Sequence, residues 1–111
     1  MSQAFFVQRG ETIDYTPNFN VAAGSVVVSG DLIGVATREI LANRLGTLTV
    51  EGVFDFPKVT GPGNALLFGS TVYWDFDNKV VTPIASDNKL LGKVVRTAGE
   101  NDPRVLVRLT Q

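Results

Sequence analysis

Cysteine and histidine are both absent from this chain of 111 residues. Their absence excludes disulfide frameworks, zinc sites built on thiolates or imidazoles, and catalysis by a histidine base or a cysteine nucleophile. The four lysines fall at turns or at polar strand positions, where a charged side chain is expected to be solvated; they are Lys58, Lys79, Lys89 and Lys93. The sequence therefore predicts a protein that is not an enzyme and uses no cofactor or metal.

Long apolar runs and an excess of charge are also missing. No stretch approaches the ~20 apolar residues that a membrane-spanning helix needs, and Met1 to Phe6 lack the basic start of a secretion signal. Ten basic and eleven acidic residues are interspersed and give a formal net charge of −1. Arg104 and Arg108 share one predicted strand face, which is more typical of a solvated face than of a nucleic-acid site. We expect a cytoplasmically made protein that binds neither membrane nor nucleic acid.

Turn-forming residues, by contrast, recur at short intervals along the chain. The runs between them are rich in Val, Ile, Thr, Phe and Tyr. This pattern predicts an all-β fold, a small barrel or jelly-roll-like sandwich of about eight to ten short strands with at most one short helical turn. A chain of this length makes one domain, which we place at residues 11–111 after an N-terminal segment, residues 1–10, that is a candidate interface arm.

The clearest strand signal covers residues 47–56, where apolar and polar residues alternate and Val53 is the exception. Gly52 falls on the apolar face and predicts a bend or a close backbone approach, and Pro57 ends the hydrogen-bonded ladder. Other predicted strands are the alternating run 104–109, the hairpin strands 71–75 and 79–82, and three nearly continuous apolar runs expected to be covered on both faces, residues 25–29, 32–36 and 90–95.

Residues 37–45 leave two interpretations open. Ile40, Leu41, Arg44 and Leu45 share one side of two helical turns that Gly46 would end. Alternatively, the preceding strand continues to Ile40 and turns through residues 42–44, where Asn43 tolerates a left-handed backbone conformation.

Residues 73–78 are the candidate ligand site. Tyr73 and Trp74 are able to stack on a sugar or a base, and Asp75 and Asp77 are able to bind a cation. Adjacent strand residues point to opposite faces, however, so one of the two aromatic rings is expected in the core. Asp and Asn also favour turns through local hydrogen bonds, and a turn is the preferred interpretation of residues 75–78.

Two apolar segments exceed what one small core is expected to absorb. Phe5 and Phe6 are adjacent, so a two-sided strand would bury one ring and expose the other. Leu66, Leu67 and Phe68 lie between two loop signals. Exposed apolar patches on small soluble proteins usually mark interfaces with partners. These five residues are therefore the candidate protein-interface residues, although a short turn that plugs a barrel end would also account for residues 66–68.

The order of the motifs resembles a known family. The series is Phe6-Val7-Gln8, Gly24-Ser25-Val26-Val27-Val28, Gly30-Asp31-Leu32-Ile33-Gly34-Val35, Gly52-Val53-Phe54-Asp55-Phe56-Pro57-Lys58, Gly69-Ser70-Thr71-Val72-Tyr73-Trp74-Asp75, Leu91-Gly92-Lys93-Val94 and Val105-Leu106-Val107-Arg108-Leu109. From about Phe6 to Leu109 it is similar to the small phage and prophage proteins long labelled a domain of unknown function (DUF2190), regarded as capsid decoration or cement proteins. The segments at 52–58 and 72–75 are the most specific.

The resemblance implies a barrel- or jelly-roll-like structural protein, without catalytic residues, on the outer surface of a tailed-phage capsid. Its expected partners are the major capsid protein and itself, as a homo-dimer or homo-trimer, and its expected location is the virion after synthesis in the bacterial host cytoplasm. The resemblance also favours the turn at residues 37–45. The alternative function is a carbohydrate- or host-surface-binding β-module on a virion, which would use Tyr73, Trp74, Asp75 and Asp77.

Overall fold

The short apolar runs form strands in the computed structural model, which describes residues 11–109. The described strands are β1 (Thr12–Tyr15), β2 (Val26–Ser29), β3 (Leu32–Val35), β4 (Gly46–Thr49), β5 (Gly52–Pro57), β6 (Thr71–Asp75), β7 (Val80–Thr82), β8 (Lys89–Val94) and β9 (Arg104–Leu109). They make an antiparallel four-stranded sheet, β1-β4-β3-β2, and an antiparallel five-stranded sheet, β5-β9-β8-β6-β7. No helix occurs between residues 11 and 109, and the all-β prediction is confirmed.

The main core lies between the two sheets. Ile33 and Val35 of the four-stranded sheet pack in one cluster with buried residues of the five-stranded sheet, which include Phe56, Trp74 and Val107. The five-stranded sheet also curves: Val59 donates a backbone hydrogen bond of 3.0 Å to Val81, so that the chain after β5 meets β7. The five-stranded sheet is therefore a partly closed barrel. The four-stranded sheet packs against it and completes the enclosure of the main core.

A smaller second core covers the other face of the four-stranded sheet. Val27 and Leu48 on that face pack with Val21 and Ile40, which lie in the connections before β2 and before β4. Val21 and Ile40 are held together by two backbone hydrogen bonds of 2.8 and 2.9 Å. As a consequence residues 33–36 are all buried, which confirms the prediction of a strand covered on both faces for these four residues, whereas Leu32 at the start of the predicted run is exposed. Leu90 of β8 is exposed, so the same prediction was wrong there.

The predicted single strand at residues 47–56 is two strands in different sheets. The break falls at residues 50–51, and Gly52 has φ 117°, a conformation that side chains with a Cβ rarely adopt. The predicted bend at Gly52 is therefore confirmed, but the continuous strand is wrong. Burial still alternates between residues 50 and 56, with Val53 exposed as the pattern indicated, but Leu48 faces the smaller core whereas Phe56 faces the main core.

Residues 37–45 form a connection with a turn at Ala42 and Asn43 rather than a helix. Asn43 has φ 64°, the left-handed conformation that the turn interpretation required. Its amide donates to the carbonyl of Pro17 at 2.7 Å. The predicted hairpin is also present, since β6 and β7 pair with Trp74 opposite Val81.

The prediction that all four lysines are solvated is wrong for Lys58. Its side chain is only 4% exposed. The Nζ atom donates hydrogen bonds to the carbonyl oxygens of Val59, Gly99 and Asp102 at 2.6, 3.0 and 3.1 Å. These contacts join the end of β5 to the turn before β9. Burial is possible because every N–H of the ammonium group has a carbonyl acceptor.

Gly34 lies where β3 meets β4, and a Cβ atom there would stand 2.9 Å from Leu48 Cβ and 3.3 Å from Val50 Cγ1. Because Leu48 Cβ is fixed to the backbone, we expect Gly34→Ala to force β3 and β4 apart and to lower the free energy of unfolding by about 1–3 kcal/mol. Urea denaturation measures the change. Gly99→Ala is the matched control, since its nearest neighbour would be Asp102 Oδ2 at 3.5 Å, an ordinary contact. Equal stability of the two variants would contradict the close approach.

Candidate interaction surface

A rigid loop holds three of the candidate interface residues, Leu66 to Phe68. Leu66 and Ala98 exchange two backbone hydrogen bonds of 2.9 and 2.8 Å. The amide of Phe68 donates to Thr97 Oγ1 at 3.0 Å, and the amide of Gly69 donates to the carbonyl of Val94 at 2.8 Å. These hydrogen bonds fix the loop to the end of β8 and to the segment that follows it. They lie on both sides of the Leu67 and Phe68 side chains along the chain.

This anchoring points the side chains of the segment in different directions. Leu66 is 1% exposed and belongs to the main core, whereas Leu67 and Phe68 are 61% and 72% exposed. Leu66 is therefore unable to offer its side chain to a partner, and its choice as an interface residue is corrected. Leu67 and Phe68 remain predicted interface residues. We call these two side chains the 67–68 surface.

A second exposed apolar surface was missed by the sequence analysis. Phe19, Leu41 and Leu45 are all exposed. The two loops that carry them are joined, because the amide of Ala42 donates to Asn20 Oδ1 at 2.9 Å and residues 17 and 43 are hydrogen bonded. The available signal was the presence of large apolar residues inside turn segments, but it was obscured by the open choice between helix and turn at residues 37–45.

The candidate ligand residues Tyr73 and Trp74 are separated by the sheet. Trp74 points into the core, where its ring lies 5.9 Å from that of Phe56. Tyr73 is half-buried on the opposite face, level with Leu90 and Thr82. The two rings are not placed to form one stacking platform, which agrees with the expectation that one of them is a core residue.

The acidic half of that candidate site is a turn held together by its own hydrogen bonds. Asp75 Oδ1 accepts from the amides of Asp77 and Asn78 at 3.1 and 3.2 Å, and Asp75 Oδ2 accepts from Asn78 Nδ2 at 2.8 Å. The hydrogen bonds from Asn78 lower the pKa of the Asp75 carboxyl group below its ordinary value. Both oxygens are therefore engaged within residues 75–78. Phe5 and Phe6, the other candidate interface residues, lie outside the described residues.

Several charged side chains of the described region form surface pairs. Arg104 Nε lies 3.0 Å from Asp55 Oδ1, and an Arg108 terminal nitrogen lies 3.8 Å from Glu51 Oε1. Both arginines are exposed on one face of β9 beside the carboxylates of the neighbouring segment. Residues 11–109 contain no group of three or more acidic, histidine or cysteine side chains placed to hold a metal ion. Within the same residues, no helix has the length and apolar character required to cross a bilayer.

The comparisons with known proteins identify the family. The family model described as phage cement protein matches residues 7–109. No curated protein and no solved structure matches the chain. The described residues form an all-β domain whose exposed loops carry large apolar side chains. Because the match covers nearly the whole chain, the protein is a member of the phage cement protein family, and it has a structural role on a phage capsid.

Proposed function

We propose that this protein decorates the outer surface of a tailed-phage capsid and stabilises contacts between capsomers, without enzymatic activity. The family match over residues 7–109 carries the proposal. The 67–68 surface supplies a contact of suitable chemistry, because the loop backbone is already held by hydrogen bonds and binding restricts mainly the two apolar side chains. The partner that fits this surface is an apolar depression on the major capsid protein.

Weak contacts are sufficient for such a role. A capsid repeats the same binding site many times, and copies that bind both the shell and each other gain avidity from multivalency. One loop with two large apolar residues therefore need not bind tightly alone. The protein is expected to slow the separation of capsomers by bridging them, rather than by altering the capsid protein.

The 67–68 surface is tested by the double variant Leu67→Ser, Phe68→Ser. Because both side chains are exposed, we expect the variant to stay folded and to bind undecorated shells of the same phage at least about tenfold more weakly. Co-sedimentation of purified protein with the shells measures the occupancy, and circular dichroism reports the fold.

Leu41→Ser, Leu45→Ser is the matched comparison, since it removes the same kind of exposed side chain from a different loop. We expect it to decorate shells as the unaltered protein does. Unchanged shell occupancy for the Leu67 and Phe68 variant would refute the proposed contact. Failure of the unaltered protein to bind any shell would refute the proposed function itself.

A further inference from the structure

Strand β2 leaves one edge of the four-stranded sheet unpaired among the described residues. The amide of Ala36 donates to the carbonyl of Ser25 at 3.0 Å, which fixes the alternation of hydrogen bonds between β2 and β3. In that alternation Val27 and Ser29 bond to β3. The N–H and C=O groups of Val26 and Val28 therefore point away from β3, to the side where residues 11–109 supply no further strand.

Between Val26 and Ser29 this edge also lacks the charged residues and prolines that keep many unpaired strands from associating. Proteins protect open edges with charged residues, prolines or bulges. The residues of β2 are Val26, Val27, Val28 and Ser29, which carry no charge and include no proline. At the opposite edge of the sheet, β1 carries Asp14. The β2 edge is therefore the edge of this sheet that is suited to accept another strand.

A groove runs beside the same edge. Its lining includes Val26 and Val28 of β2, Phe76 and Lys79 of the β6–β7 turn, Tyr15 at the end of β1, and residues 19–22 between β1 and β2. Its volume is about 600 Å³. Lys79 Nζ lies 5.1 Å from the centroid of the Phe76 ring, a cation–π contact between two exposed side chains of this lining. An unpaired edge beside a partly apolar groove is the arrangement in which an extended peptide binds by strand addition.

The chain has a segment with the right composition for this groove. Residues 4–7 are Ala-Phe-Phe-Val between two glutamines, an apolar run of high strand propensity. The segment joins the domain at β1, on the far edge of the same sheet. Two acceptors are available to this segment, β2 of its own copy and β2 of another copy.

Geometry favours another copy. The position of an added strand beside β2 lies four strand spacings from β1, roughly 19 Å, which consume about six extended residues. Counted back from Glu11, which still pairs with Val50, residues 5–10 would then be spent before the chain reached that position, and Phe5, Phe6 and Val7 would not enter the groove. A direct crossing is also obstructed, because one face of the sheet packs on the five-stranded sheet and the other is covered by Val21 and Ile40.

We propose that residues 4–8 of a second copy of this chain bind along the unpaired edge of β2 as an added strand, with apolar side chains in the groove beside Phe76. This inference goes beyond capsid attachment and does not depend on it. It identifies how neighbouring copies of the protein join to one another.

Amide hydrogen exchange tests the added strand. We expect the Val26 and Val28 amides of the full chain to exchange at least about tenfold more slowly at high than at low protein concentration. In a variant lacking residues 1–7 they should exchange fast at both concentrations. The Val27 amide is the internal control, because it bonds to β3 in either case. Fast exchange of Val26 and Val28 at every concentration would overturn the proposal, and so would slow exchange in a chain that sediments as a monomer.

Disulfide capture provides a second test in a chain that has no cysteine of its own. Variants with one cysteine in place of Ala4, Phe6 or Gln8 are each mixed with the variant Ser29→Cys and oxidised. We expect at least one mixed disulfide between two copies, and none with Thr47→Cys, an exposed position on the interior strand β4. Equal yields at residues 29 and 47, or no mixed disulfide, would contradict the proposal. Shell binding is measured separately, so failure of capsid attachment and failure of this contact are distinguishable.

Discussion

Replacing Lys58 with methionine is expected to lower the free energy of unfolding by about 2–4 kcal/mol. The variant keeps the length and apolar stem of the side chain but removes the three hydrogen bonds to the carbonyls of Val59, Gly99 and Asp102. Those carbonyls then lose a charged donor in a partly buried position. Because Gly99 and Asp102 lie in exposed segments, water is able to replace part of the loss, which keeps the expected value below the sum of three such bonds.

Chemical denaturation of the two proteins measures the change, and Lys93→Met is the control. Lys93 is exposed and donates one hydrogen bond, to Thr71 Oγ1 at 2.7 Å, so its replacement should change stability by no more than about 0.5 kcal/mol. A Lys58→Met protein as stable as the Lys93→Met protein would show that the buried ammonium group contributes nothing to the fold.

The second large effect is expected for Trp74→Ala, which should cost about 3–5 kcal/mol. Trp74 is buried between the sheets and packs against Phe56, so truncation leaves a large cavity in the main core. A loss of this size is a substantial part of the total stability of a domain. Thermal unfolding followed by circular dichroism measures it, as a fall in melting temperature of roughly 10 °C or more.

Phe76→Ala is the matched control for the tryptophan. Phe76 lies just after the same strand but is exposed, and its loss should cost about 1 kcal/mol or less, mainly the contact with Lys79. The Trp74→Ala and Phe76→Ala variants also test the alternative function, a carbohydrate-binding module. A Trp74→Ala protein that stayed fully stable but no longer bound a glycan would support that module and contradict the assignment of Trp74 to the core.

The strand pattern was predictable because it depends on local sequence. Alternation at residues 104–109 placed Val105, Val107 and Leu109 on one face, and all three are buried. Asn43 and the turn residues at 75–78 also have local signatures, which the backbone confirms. Each of these features is decided by side chains within a few residues of one another.

The sheet in which a strand lies was not predictable in the same way. The alternation of residues 47–56 continues through Gly52, so nothing in the pattern marks the passage from one sheet to the other. The assignment is decided by partners far along the chain: β4 pairs with β1, and β5 pairs with β9. Lys58 was misplaced for the same reason, since two of its three acceptors lie more than forty residues away.

The candidate surface was predictable only in part. The excess of apolar residues at 66–68 correctly indicated exposure, but the sequence did not show which residue would turn inward. That choice follows from the bridge between Leu66 and Ala98, which pairs two segments that have no shared sequence signal. The 67–68 surface is consequently smaller than the predicted segment, and the proposed contact depends on two side chains.

The ammonium group of Lys58 occupies the position that a bound cation has in many loops, where carbonyl oxygens gather around a positive charge. A bound ion is in equilibrium with solution and is lost to dilution or to a chelator. The charge at Lys58 is covalently tethered, so its occupancy does not depend on the ionic composition outside the particle. The carbonyl oxygens of the turn before β9 are therefore joined to the end of β5 by a charge that the chain itself carries.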